Sequence, residues 1–203
     1  MTPVYYHFTA NKLRDGRAIP PIGEWLEFDG TPVPCESGLH ASPDAFDALQ
    51  YAPGNILHQV ELGGKIVEHG SPVDKYAAQK RKIIATINAE SIMLPFARRV
   101  ALDVIHLWDA PTVIKEYLET GDESKRAAAW DAAAAAGAAG AARVAAGVAA
   151  GDAAWAAAEV AVWAARAAVW AAEAAAWAAK QTLYRGWFNE MVEAEFALQA
   201  VRP

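Results

Sequence analysis

Ile56-Leu57-His58-Gln59-Val60-Glu61-Leu62, followed by Gly63-Gly64 and then Lys65-Ile66-Val67-Glu68, is the stretch that sets the fold class. A short apolar and β-branched run between Pro53-Gly54 and a pair of glycines is a strand signal, and the residues beyond the glycines make the second arm of a hairpin. Toward the N-terminus, Val4-Tyr5-Tyr6-His7-Phe8-Thr9 is an aromatic run of the same kind. Trp25-Leu26-Glu27-Phe28 alternates apolar with polar residues ahead of a tight turn at Asp29-Gly30. Ser42-Pro43-Asp44 supplies a hydroxyl N-cap, a proline at the first helical position and an acid in the first turn, which predicts a short helix to about Tyr51. Arg81 to Ile87 is another predicted strand.

Downstream the period changes from two to 3.6. Ala97, Val100, Ala101, Val104, Ile105 and Trp108 fall at helical spacing with Pro95 near the start, and a second helix over Thr112 to Glu119 is predicted to stop at Gly121. Strands first and helices second indicate an α+β head over residues 1–124, a small mixed or antiparallel sheet with short helices. Ten of the 11 prolines lie at or before Pro111, and residues 125–203 are dominated by alanine, so the remainder is predicted to be a long helical tail.

That tail carries bulk at seven-residue intervals: Trp163, Trp170 and Trp177, continued by Tyr184, Met191 and Leu198. On a helix, Val162 and Val169 stand beside the tryptophans, Glu159, Arg166, Glu173 and Lys180 edge them, and alanines fill the opposite arc. An uncovered row of tryptophans is more apolar surface than a monomer tolerates, so a coiled-coil type of self-association into a homo-oligomer is expected. Gly147 and Gly151, with Asp152 as an N-cap, favour a helical hairpin over a single rod of about 80 Å.

The net charge of −6 and the absence of a basic stripe argue against nucleic acid as a partner, and Lys80-Arg81-Lys82 and Arg98-Arg99 read as solvated clusters. Charges from Asp131 to Lys180 interrupt the tail too often for a membrane span. Cys35, the single cysteine, reads as a small buried residue and fits a reducing, cytoplasmic setting, with no signal peptide ahead of it. Cys35, His40, His58 and His69 match no metal-ligand spacing, no glycine-rich phosphate loop is present, and no metal is expected.

Cys35-Glu-Ser-Gly38-Leu39-His40-Ala41-Ser42, with Phe46, Leu49, Gln50, Tyr51 and Ala52 after it and Val60 to Gly70 further on, resembles a family of uncharacterised domains in bacterial and phage proteins. Its members share a Cys-x-x-Gly-Leu/Phe-His-Ala motif, and alanine-rich tails are familiar among them. The resemblance implies a phage-type accessory protein and brings no activity. The expected function is non-enzymatic: a binding head, with a possible protein partner, displayed on an oligomerising tail.

The order His7-Phe8-Thr9, then Gly38-Leu39-His40-Ala41-Ser42, then Tyr51, is also similar to that of ADP-ribosyltransferase-like folds. This second resemblance implies an alternative in which His7, Thr9, His40, Ser42 and Tyr51 hold NAD and Glu61 or Glu90 is the catalytic carboxylate. Phe8 and His40 depart from that pattern. Without it, His7 and His40 are core or turn histidines.

Overall fold

Two long antiparallel strands form the spine of the head in the computed structural model, which describes residues 2–107, 109–129, 131–135 and 159–201. In chain order the elements are β1 (Tyr5–Thr9), β2 (Trp25–Glu27), β3 (Leu39–Ala41), α1 (Ala45–Leu49), β4 (Ile56–His69), β5 (Lys75–Asn88), α2 (Glu90–Val104), α3 (Thr112–Thr120) and α4 (Glu159–Ala200). Single 3₁₀ turns follow α2 and α3. The sheet is antiparallel with five strands in the order β1-β4-β5-β2, and β3 pairs with the other end of β5. The class is α+β. Tyr6 and Ser42 exchange backbone hydrogen bonds of 2.9 and 2.8 Å, joining the edge strand β1 to the end of β3 and curling the sheet back on itself.

The Gly63-Gly64 hairpin turn is not there. β4 runs through both glycines, and the register shifts between Gly63 and Ile66. Gly64 adopts φ +70°, which opens a bulge in place of a reversal. The chain reverses instead after His69, whose carbonyl accepts from Asp74 N at 3.1 Å. Gly70 is required there: its φ is +84°, and a Cβ would meet Asp74 Oδ1 at 2.7 Å. Nor does Ser42 cap α1, because its backbone is spent on the Tyr6 bridge. Asp44 is the N-cap, its carboxylate accepting from Asp47 N at 2.8 Å. The strand read from Arg81 onward begins at Lys75, and Pro95 lies inside α2 rather than near its start.

The chain divides into two compact units, Met1–Leu94 with Arg185–Pro203, and Pro95–Tyr184. In the first, Val60, Leu62, Ala78, Ile83 and Ala41 form a buried cluster flanked by Tyr5, Ile19 and Tyr76. The C-terminal turns of α4 add Phe188, Val192 and Phe196, all buried. Phe188 meets Phe46 edge-on at 6.4 Å, Asn189 Oδ1 accepts from Phe46 N at 3.0 Å, and Arg185 pairs with Asp44 and, at 2.6 Å, with the buried Asp47. Tyr6 donates its hydroxyl proton to Glu193.

In the second unit, α3 ends where Gly121 takes the left-handed conformation and donates to Tyr117 O at 2.8 Å. Asp103 on α2 accepts from Tyr184 Oη at 3.0 Å and pairs with Lys180. The positions of Trp163, Trp170 and Trp177 fall within helix α4. The predicted hairpin turn near residues 147–152 lies outside the described residues. Among the described residues no helix is long and apolar enough to cross a membrane.

Candidate functional site

The curled sheet of the head, with its connecting loops, encloses a cleft of about 380 Å³. β1 contributes His7 and Thr9, β3 contributes His40, and β5 contributes Lys75 and Arg81; Arg14, Cys35 and Tyr51 arrive on the connections between strands. Cations dominate the lining: Lys12, Arg14, Arg17, Lys75 and Arg81 face only Asp15 and Glu36. Asp15 is already taken by Arg17 at 2.6 Å.

Two of these cations are buried. Arg81, 6% exposed, donates from Nη1 to the carbonyl of His40 at 2.6 Å, and burial lowers its pKa only to about 10, so it stays charged at neutral pH. Lys75, also 6% exposed, donates from Nζ to Cys35 Sγ at 3.1 Å and stands 3.9 Å from the centroid of the Tyr51 ring. Among the described residues neither has a carboxylate within ion-pair distance. A buried charge without a counter-charge is costly, and an anion entering the cleft would supply one.

The histidines respond to this field. Burial, then Arg81, His58, His40 and Arg14, hold His7 well below its ordinary pKa. Burial, then Lys75 and Arg81, lower His40. Both rings are neutral donors or acceptors. Cys35 N donates to His40 Nε2 at 3.2 Å, which places the ring proton on Nδ1. Beneath them His58 lies between Thr9 Oγ1 and Thr86 Oγ1, each at 2.8 Å, and its ring stacks against that of His7 with centroids 6.5 Å apart. The Tyr51 hydroxyl donates to Asp74 at 2.6 Å, and burial followed by this bond pushes its pKa up to about 12.

His7, Thr9, His40, Ser42 and Tyr51, singled out from sequence order, all line this cleft. Glu61 and Glu90 are not among its lining residues: Glu61 pairs with Lys82 at 2.6 Å, and Glu90 is exposed at the start of α2. Cys35 is exposed rather than buried, held at φ 69° in a tight turn with its sulfur against Lys75. His69 serves Asp74 at 2.8 Å. Arg81 is the largest departure from expectation, because the Lys80-Arg81-Lys82 cluster was read as solvated. Alternation along β5 sends Lys80 and Lys82 outward to Glu27 and Glu61 and turns Arg81 inward. Applying strand alternation to Lys80, Arg81 and Lys82 at the start of the strand predicted from Arg81 onward would have found it.

Residues 4–94 match the model of a family described as a domain of unknown function, DUF7666. The match takes in every strand of the sheet, α1 and every residue that lines the cleft. No curated protein and no solved structure matches the chain. The matched stretch of this chain is thus a curled sheet whose cleft holds neutral histidines among buried cations.

Proposed function

We propose that the head is a non-enzymatic binding module whose cleft takes a small anionic ligand, carried in a phage-type accessory protein that self-associates through α4. The observation that carries this reading is the pair of buried cations, Lys75 and Arg81, lining one cleft without a carboxylate partner. Calorimetric titration with inorganic phosphate and with NAD is expected to give saturable binding that weakens with salt. Arg81→Gln should weaken it about tenfold, the worth of one charge-assisted hydrogen bond. Absence of binding by both anions at millimolar concentration would overturn the reading.

The self-association arm rests on the heptad Trp163, Trp170 and Trp177. Light scattering on the full chain is expected to give a mass above 21.7 kDa, and the triple Trp→Gln variant is expected to return it toward that value. A monomeric parent chain defeats this arm.

A second reading, a degenerate NAD-binding relative of the ADP-ribosyltransferases, draws on the convergence of His7, Thr9, His40, Ser42 and Tyr51 on one cleft. NAD binding indifferent to both His7→Ala and Tyr51→Ala would remove it. The separation of Glu61 and Glu90 from the cleft favours binding over transfer chemistry.

A further inference from the structure

Resting on the reading of the cleft as an anion site, we infer that its ligand class is an organic diphosphate, held between Arg81 and Lys75 with His40 between them. Lys75 and Arg81 lie six positions apart on the same strand and make different contacts, Arg81 Nη1 lying 2.6 Å from the His40 carbonyl and Lys75 Nζ lying 3.1 Å from Cys35 Sγ and 3.9 Å from the Tyr51 ring centroid. The charged heads therefore stand at separate points along the cleft. One phosphate group at either point would leave the other buried cation without a counter-charge. Two phosphates joined in a chain satisfy both.

His40 fixes the spacing. Arg81 reaches its backbone carbonyl at 2.6 Å, and Lys75 reaches Cys35, whose backbone N–H holds the imidazole Nε2 at 3.2 Å. Arg81 thus holds the His40 backbone directly, and Lys75 is tied to the His40 ring through Cys35. Its Nδ1–H has no hydrogen-bond partner among the described residues, and the side chain lines the cleft. It can donate to an oxygen between the two phosphates. Arg81 keeps its remaining guanidinium N–H groups for the phosphate at its own end.

Calorimetry on the full chain with ADP, AMP and adenosine tests this. ADP is expected to bind about tenfold more tightly than AMP or better, the second phosphate adding one charge-assisted contact, and adenosine is expected not to bind measurably. In Lys75→Met that preference should fall toward one. His40→Gln keeps an acceptor for Cys35 N–H but loses the Nδ1 donor, and should weaken ADP more than AMP. Equal binding of AMP and ADP by the parent chain overturns the diphosphate assignment while leaving an anion site intact, and binding of neither nucleotide removes both. Full ADP preference in His40→Gln would strike out the role of His40. Circular dichroism establishes whether each variant folds, and if one does not, the AMP and ADP comparison on the parent chain decides.

Discussion

Phe188→Ala is expected to cost the protein about 4 kcal/mol, lowering Tm by roughly 8–16 °C for a chain of this size. Among the described residues Phe188 is the largest of the fully buried side chains, at 0% exposure. Its ring fills the space between α4 and α1, edge-on to Phe46, and Val192 one turn on is also fully buried. Removing the ring leaves a cavity that α1 cannot close, because Asp44 and Asp47 are pinned to Arg185 and the Phe46 amide to Asn189. Leu198→Ala on the same helix is the control: the side chain is 54% exposed, and its loss should move stability by no more than about 0.5 kcal/mol. Urea unfolding followed by circular dichroism measures both. Equal, small losses from the two substitutions would mean that the last turns of α4 do not pack on the sheet unit.

The same contacts bear on the site. α1 supplies Ala48 to the cleft wall and leads into Tyr51, which lies against Lys75. The helix end that grips α1 therefore belongs to the support of the cleft. A chain cut after residue 124 would lose Phe188 and Arg185 together, so binding and assembly are best measured on the full chain.

What the sequence disclosed follows period and punctuation. β1, the first half of β4, the stop at Gly121 and the α+β order were legible because aromatic runs, glycine and the change from two to 3.6 are local signals. The start of β5 was not. Lys75-Tyr76-Ala77-Ala78-Gln79 is poor in β-branched residues, and its strand state comes from pairing with β3 and β4. Gly63-Gly64 misled because two glycines serve a bulge as well as a turn. In the tail, the seven-residue beat leads to Tyr184, which is buried, and to Met191, which is partly so, but leaves Leu198 exposed. Burial at Phe188, Val192 and Phe196 steps by four because a helix docked on a globular unit uses a wider stripe than a coiled-coil seam. At the site, His7, Thr9, His40, Ser42 and Tyr51 were found by their order along the chain, whereas Lys75 and Arg81 were hidden, since burial of a cation depends on which face of a strand it takes. Glu61 and Glu90 were picked by residue type alone.

Acidification is expected to destabilise the protein by about 3 kcal/mol between pH 6.5 and 4 through the His58 ring alone, most of the loss falling above the pH at which ordinary carboxylates are protonated. His58 is 1% exposed, with both ring nitrogens engaged by Thr9 and Thr86, and burial followed by the nearby Arg81 lowers its pKa from 6.5 to about 4. Below pH 6.5 the unfolded chain binds a proton at this ring and the folded chain does not, so proton binding pulls the equilibrium toward the unfolded state. The loss stops growing near pH 4, where the folded ring is protonated as well. His7 and His40 are shifted in the same direction and act with the same sign, so the figure for His58 alone is a lower bound. Urea unfolding at several pH values from 7.5 to 4 gives the slope. His58→Gln removes the titrating ring, and whatever it does to stability at pH 7.5, it should flatten the slope. A profile that is already level in the parent chain, or equally steep in the variant, would show that His58 does not hold its neutral form in the folded protein.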